Sequence, residues 1–234
     1  MILIARFAEL GIAGLRHPAC VEEPVSSLLS GFIALELARV DASTATFYGV
    51  HAGLAMGSIA RCGSAEQRSR RLPPMGRMAT IGAFALTEPQ GGSDVAAGMR
   101  TVAHRDGGAW VLDGAKRWIG NATFADLTVV GAADRNGREV HGFVVPKGTP
   151  GFTATKIESK LALRTVENAD IVLDGCRVPE ENRLAHADGF RDTAAVLRQT
   201  RSDVNRDRRL RLSPASAPGK TRCGTAAPRC VIGA

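Results

Sequence analysis

"AWVLDGAKRWIG", residues 109–120, decides what kind of protein this is. Aromatic and β-branched residues crowd both halves, and Asp113-Gly114 sits between them. Asp-Gly between such runs is a turn signal, so the stretch reads as two short strands, "AWVLDG" and "AKRWIG". Similar segments lie on both sides: "AFALTE" (83–88), "MRTVAH" (99–104), "LTVVGA" (127–132), "VHGFVV" (140–145) and "ADIVLDG" (169–175). Turn signals separate them at Asp106-Gly107-Gly108, Asn136-Gly137, Pro150-Gly151 and Asp174-Gly175. About seven strands so closely spaced predict an antiparallel β-barrel or sandwich rather than a parallel βαβ sheet. No G-x-G-x-x-G follows any of them, so a Rossmann dinucleotide site has no support.

Upstream of Pro74 the period is helical. "SLLSGFIALELARV" (27–40) and "TATFYGVHAGLAMGSIARCG" (44–63) predict two helices, the second with Gly and Ala where another helix can approach closely. Ser64 and Gln67 fit a capping box for a short helix that Pro73 and Pro74 should end. Downstream, "DGFRDTAAVLRQTR" from Asp188 predicts a further helix, and the Arg- and Pro-rich chain beyond it has no period. The fold class is therefore α+β. An N-terminal helical domain (1–80) precedes a middle β domain (81–187), the start of a further helical domain (188–204) and a basic tail (205–234) expected to be disordered.

The totals narrow the function classes. The net charge of +7 is concentrated in one place, because residues 201–234 carry eight Lys/Arg and two Asp/Glu. A nucleic-acid reading would rest on that tail alone, which has no aromatic residue to stack on bases, so it ranks last. The longest uncharged stretch, Ala42 to Ala60, contains His, Tyr and three Gly and reads as a buried helix, not a membrane span. "MILIARFAEL" has no basic region ahead of its apolar residues, so no signal peptide is expected and the location is taken as cytoplasmic. Five scattered cysteines without a C-x-x-C support neither a disulfide framework nor a zinc site.

Two stretches carry candidate chemistry. In "FALTEPQGGSD" (84–94) a strand delivers Thr87, and Gly91 and Gly92 let backbone approach a ligand. Ser93 and free N–H groups are donors of the kind that grip carbonyls or phosphates. Taken by itself, this stretch reads better as an ordinary strand-to-loop turn, with Pro and Gly for geometry and Ser and Asp as local caps. In "KRWIGNATFADL" (116–127), Trp118 beside Gly120 makes a flat apolar wall with backbone access, although a core tryptophan is the commoner use. Two such strand ends make a planar ligand plausible without specifying one.

"ALTEPQGGSD", "DGAKRWIGN", "GFVVPKGTPGF" and "DIVLDGCRVPEENRL", in this order and spacing, resemble the acyl-CoA dehydrogenase family, on the branch of glutaryl-CoA dehydrogenases and short-chain acyl-CoA oxidases. The likeness runs from about residue 7 to residue 204. It implies FAD as cofactor and α,β-dehydrogenation of acyl-CoA thioesters, with an electron-transferring flavoprotein or oxygen as acceptor. It implies flavin contacts from Phe84, Leu86, Thr87, Gly92, Ser93, Trp118, Ile119 and Gly120. Thr87 would donate to the pyrimidine edge of the ring and Trp118 would cover it. Ser93 would lie near the pyrophosphate and the acyl-CoA. Gly120 departs from a family threonine near flavin N5. A glutaryl-type arginine position falls on Ala45, which disfavours a dicarboxyl substrate.

The family's glutamate base lies in a C-terminal helical bundle whose pattern this chain loses near residue 204. The resemblance therefore implies a truncated copy without an assigned catalytic residue, incomplete in turnover and not forming the family homotetramer. A non-catalytic flavin- or acyl-CoA-binding fragment is the alternative.

Overall fold

A computed structural model describes residues 2–92, 98–135 and 139–200. The expected disordered tail, and Ser93, lie outside the described residues. Helices come first: α1 (Ile2–Leu10), α2 (Ser27–Val40), α3 (Ala42–Tyr48), a π-helical stretch (Gly49–Ala55), α4 (Met56–Cys62) and α5 (Ala65–Gly76). The strands follow as β1 (Gly82–Ala85), β2 (Val102–Asp106), β3 (Ala109–Gly120), β4 (Leu127–Asp134), β5 (Val140–Pro146), β6 (Phe152–Lys156) and β7 (Asn168–Pro179). Residues 190–200 form a last helix, α6. No helix among the described residues is long and apolar enough to cross a membrane.

Local chemistry accounts for the helix ends. The Ser26 hydroxyl accepts from Leu29 N–H at the start of α2, and the Asp41 carboxylate accepts from Ser43 and Thr44 N–H at the start of α3. The expected capping box is present: Ser64 Oγ accepts from Gln67 N–H at 3.1 Å, and Gln67 Oε1 accepts from Ser64 N–H at 2.9 Å. One expectation shifts. Pro73 and Pro74 lie inside the last turn of α5 instead of ending it, and their carbonyls accept from Arg77 and Ala79 N–H. The α2 helix buries the small residues Ser30, Gly31 and Ala34, while Leu28, Leu29, Phe32 and Val40 are exposed.

The seven strands make one curled sheet in the order β1-β4-β2-β3-β7-β6, with β5 also on β4. It is mixed, not wholly antiparallel: β1 and β2 each pair parallel with β4, end to end along one edge, and β5 covers the other edge. The two expected segments of residues 109–120 are one strand. Its Asp113-Gly114 meets Asp174-Gly175 of β7 across the ladder. There Leu112 faces Cys176 and Gly114 faces Leu173, so one residue of β3 opposes two of β7. Gly114 (φ +147) and Gly175 (φ +58) absorb the bulge, and Asp113 Oδ1 accepts from Gly175 N–H at 2.8 Å. The missed strand, β6, is only five residues long and largely exposed; its alternation is confined to Phe152 and Ala154, which face the core between Thr153 and Thr155.

One core joins helices to sheet, from Met56, Ile59 and Met75 to Phe143, Val144 and Ile171. Polar ties cross the same boundary. His51 Nδ1 accepts from Gly82 N–H at 3.0 Å while Nε2 meets the Met75 carbonyl at 3.0 Å. Gln67 donates to the Glu181 and Arg183 carbonyls at 2.8 and 2.7 Å. α6 lies where glycines leave room: a Cβ on Gly53 would stand 3.2 Å from Thr200 Cγ2, and one on Gly57 3.8 Å from Val196 Cγ1.

Candidate functional site

The segment after β1 and the end of β3 run side by side. Arg117 N–H donates to the Thr87 carbonyl at 2.9 Å, which places Leu86 and Thr87 next to Trp118. Both borders face one cleft of 680 Å³. Phe84, Leu86, Thr87 and Gly92 line it from one side and Trp118, Ile119 and Gly120 from the other. Of the expected flavin contacts only Ser93 is not among them, and it falls outside the described residues. Val50 and Leu54 of the π-helical stretch and Phe190, Ala194, Leu197 and Arg198 of α6 complete the walls. These helical residues carry no motif; their place shows only once the helices dock on the sheet.

Trp118 is not at a simple strand end. The β3–β7 register slips between Lys116 and Ile119, and Trp118 has φ +63, a left-handed conformation costly for a bulky residue. Its side chain remains 52% exposed, with the Arg117 guanidinium 5.3 Å from the ring centre. Neighbouring bonds hold this backbone. Asn168 Nδ2 donates to the Trp118 carbonyl at 3.1 Å, and Asn121 N–H donates to the Glu167 carbonyl at 3.0 Å. Asn121, itself at φ +68, sends Nδ2 to the Phe47 carbonyl at 3.2 Å and so ties the rim to α3. Strain held by surrounding bonds is a feature of ligand sites.

The glycines differ in kind. A Cβ on Gly92 would meet nothing within 4 Å, so its bareness leaves open access. A Cβ on Gly120 would stand 3.2 Å from Val50 Cγ2, so the π-helical wall closes on the missing side chain.

Behind the cleft lies a buried ion pair. Lys116, 0% exposed, donates to Glu88 Oε1 at 3.0 Å and to the Leu86 carbonyl at 3.1 Å. Glu88, 6% exposed, also accepts from Thr101 N–H (2.8 Å), the Thr101 hydroxyl (2.6 Å) and Arg100 N–H (2.7 Å). Burial works to raise the Glu88 carboxyl, but the Thr101 hydroxyl, Lys116 and the two N–H groups outweigh it and hold it below the usual range. Burial draws the Lys116 ammonium down to about 8 against the pull of Glu88, leaving it a cation at neutral pH. The role of Lys116 is not legible in the sequence, since its partner is 28 residues away.

The arrangement suits a flat ligand: an aromatic wall, aliphatic side chains, a threonine and two bare glycines on one cleft of small-molecule size. Among the described residues lining it there is no carboxylate.

The match to known proteins runs through both halves. Residues 2–79 match the acyl-CoA dehydrogenase N-terminal domain and residues 83–176 the acyl-CoA dehydrogenase middle domain. The mouse mitochondrial short-chain specific acyl-CoA dehydrogenase is 37% identical over 185 residues, 77% of this chain and 45% of that protein. A glutaryl-CoA dehydrogenase from Mycobacterium smegmatis, solved in complex with FADH2, superposes with a TM-score of 0.82 at 37% identity, covering 88% of this chain and 53% of that one. Butyryl-CoA dehydrogenase from Megasphaera elsdenii gives 0.81 at 29% identity, covering 87% and 55%. The chain thus spans about half the length of the curated relatives it matches. With its helical and its sheet portion each matched in turn, from residue 2 to residue 176, the chain belongs to the acyl-CoA dehydrogenase family.

Proposed function

We propose that the cleft between residues 84–92 and 118–120 is the flavin-binding part of an FAD-dependent oxidoreductase acting on the CH–CH group of acyl-CoA thioesters. One observation carries this: seven residues from two distant motifs share a single cleft. The likeness to a glutaryl-CoA dehydrogenase solved with FADH2 supports the choice of flavin. When bound, FAD would supply the two-electron acceptor for α,β-dehydrogenation. The chain's own residues supply the setting. Trp118 walls the ring, Thr87 donates to it, and Phe84, Leu86 and Ile119 keep water from it. Gly92 leaves its backbone open to the ring, Gly120 lets the Val50 wall close beside it, and Ser93 is assigned to its pyrophosphate and to the acyl-CoA.

The same reading includes an electron-transferring flavoprotein or oxygen as acceptor, a cytoplasmic location, and no homotetramer from these 234 residues alone. It also divides the chain at residues 80/81 and 187/188, the first division supported by the matched ranges 2–79 and 83–176.

Turnover by these residues alone is not expected. Removing the α-proton of a thioester needs a positioned base, and the cleft has no carboxylate among its described lining residues. Glu88 is occupied by Lys116, Thr101 and Arg100. Lack of a general base costs about 10²–10⁴-fold in rate. The test is reconstitution of the 234-residue chain with FAD, followed by anaerobic titration with butyryl- to octanoyl-CoA. Saturable FAD binding with no rapid bleaching is the expected result. Absence of binding refutes the site. Rapid bleaching refutes the missing base.

A further inference from the structure

We propose that Lys116 and Glu88, which do not line the cleft, are positioning residues for the flavin: their ion pair sets the spacing of its two walls. This rests on the flavin reading above.

The need for such a device follows from the topology. One wall continues β1 and the other belongs to β3, yet these strands are not paired: β1 lies on β4, while β3 lies between β2 and β7. No ladder fixes the distance between the walls. What joins them is the Arg117 N–H to Thr87 carbonyl bond, a long bond from Asn121 Nδ2 to the Gly82 carbonyl at the start of β1 (3.4 Å), and the Lys116 ammonium, which bridges the Leu86 carbonyl and Glu88 beside Thr87. Lys116 thus holds the backbone immediately before Thr87 from the strand that carries Trp118 two residues on. Glu88 extends the clamp. Through Thr101 and Arg100 it fastens the far end of the segment that begins at Thr87.

The choice of residues argues the same way. Lys116 heads the largest fully buried side chains among the described residues. A buried ion pair is a poor source of stability, since apolar residues of similar volume often serve as well or better. What the ammonium adds is two charge-assisted hydrogen bonds at once, to the Leu86 carbonyl and to Glu88, which an apolar side chain cannot make. Without it Leu86 and Thr87 can move away from Trp118, and an ångström of misplacement at such a site is costly.

The experiment compares the unaltered 234-residue chain with K116M/E88Q, in which the pair is neutral and roughly isosteric. Circular dichroism and thermal denaturation of the flavin-free chains report the fold. FAD titration by fluorescence quenching reports affinity, and the visible absorption of the bound flavin reports its surroundings. The expected result is a denaturation midpoint within about 3 °C of the unaltered chain, with FAD affinity reduced about 10-fold or more and an altered flavin band. K116Q, which keeps a neutral donor, should fall between, and it decides the matter on the same readouts if the double variant does not fold. Unchanged affinity and spectrum in a folded variant overturn the inference. So does a loss of affinity that merely tracks a loss of stability in the flavin-free chain. Failure of the unaltered chain to bind FAD overturns the flavin reading, and this inference with it.

Discussion

Trp118 offers the sharpest test of how the cleft is built. Its φ of +63 is stored strain, and the strain can be separated from the side chain's contacts by comparing Trp118→Ala with Trp118→Gly. Both variants lose the same half-buried ring and the same contact with Arg117, so those losses cancel. The remaining difference has two parts. A residue with a Cβ pays about 1–2 kcal/mol in the left-handed region. Glycine loses more chain entropy on folding, a disadvantage of about 0.4–1 kcal/mol relative to alanine. The first exceeds the second, so Trp118→Gly should be more stable than Trp118→Ala by about 0.5–1 kcal/mol, the reverse of the order at an ordinary strand position. For a chain of this size that is a difference of about 2–3 °C in Tm. Denaturant melts read by circular dichroism resolve it, and FAD titration of both variants should show equal and severe loss of binding. If Trp118→Ala equals or exceeds Trp118→Gly in stability, the backbone at 118 is not strained, and the account of the register slip between Lys116 and Ile119 is wrong.

Two further outcomes follow from buried groups. Burial lowers the His51 imidazole to about 4, from 6.5 in an unfolded chain, so below pH 6.5 the unfolded state takes up a proton that the folded state refuses. Stability should therefore fall as pH drops from about 6.5 to about 4, by up to about 3 kcal/mol from this group. Denaturant titrations across that range should show a shallower slope in His51→Gln, and an equal slope would refute the assignment. Gln67 bonds the Glu181 and Arg183 carbonyls and accepts from Ser64 and Ala185 N–H. Gln67→Ala should cost about 2–4 kcal/mol in unfolding free energy, and a cost below about 1 kcal/mol would show that water replaces these bonds freely.

The sequence by itself determined whatever depends on neighbours along the chain. The α2 helix, the capping box of Ser64 and Gln67, the switch to strands after Pro74 and the two cleft motifs are all local patterns. Residues within a few positions settle each of them. Only the tertiary structure decided what depends on partners far away. Asp113-Gly114 and Asp174-Gly175 are turn signals taken singly, but opposite one another they form a bulge inside two long strands, because ladder bonds on both sides outweigh the local preference. The face of α2 that is buried, Ser30, Gly31 and Ala34 beside Ile33 and Leu37, leaves Leu28, Leu29, Phe32 and Val40 outside, a choice its own sequence does not make. The parallel pairing of β1 with β4 brings the first motif beside β3. Lys116 shows the limit best: a lysine in a strand reads as a solvated charge until Glu88, 28 residues back, arrives to receive it. Burying that charge is tolerable only with its partner in place, and that pairing exists only in the folded chain.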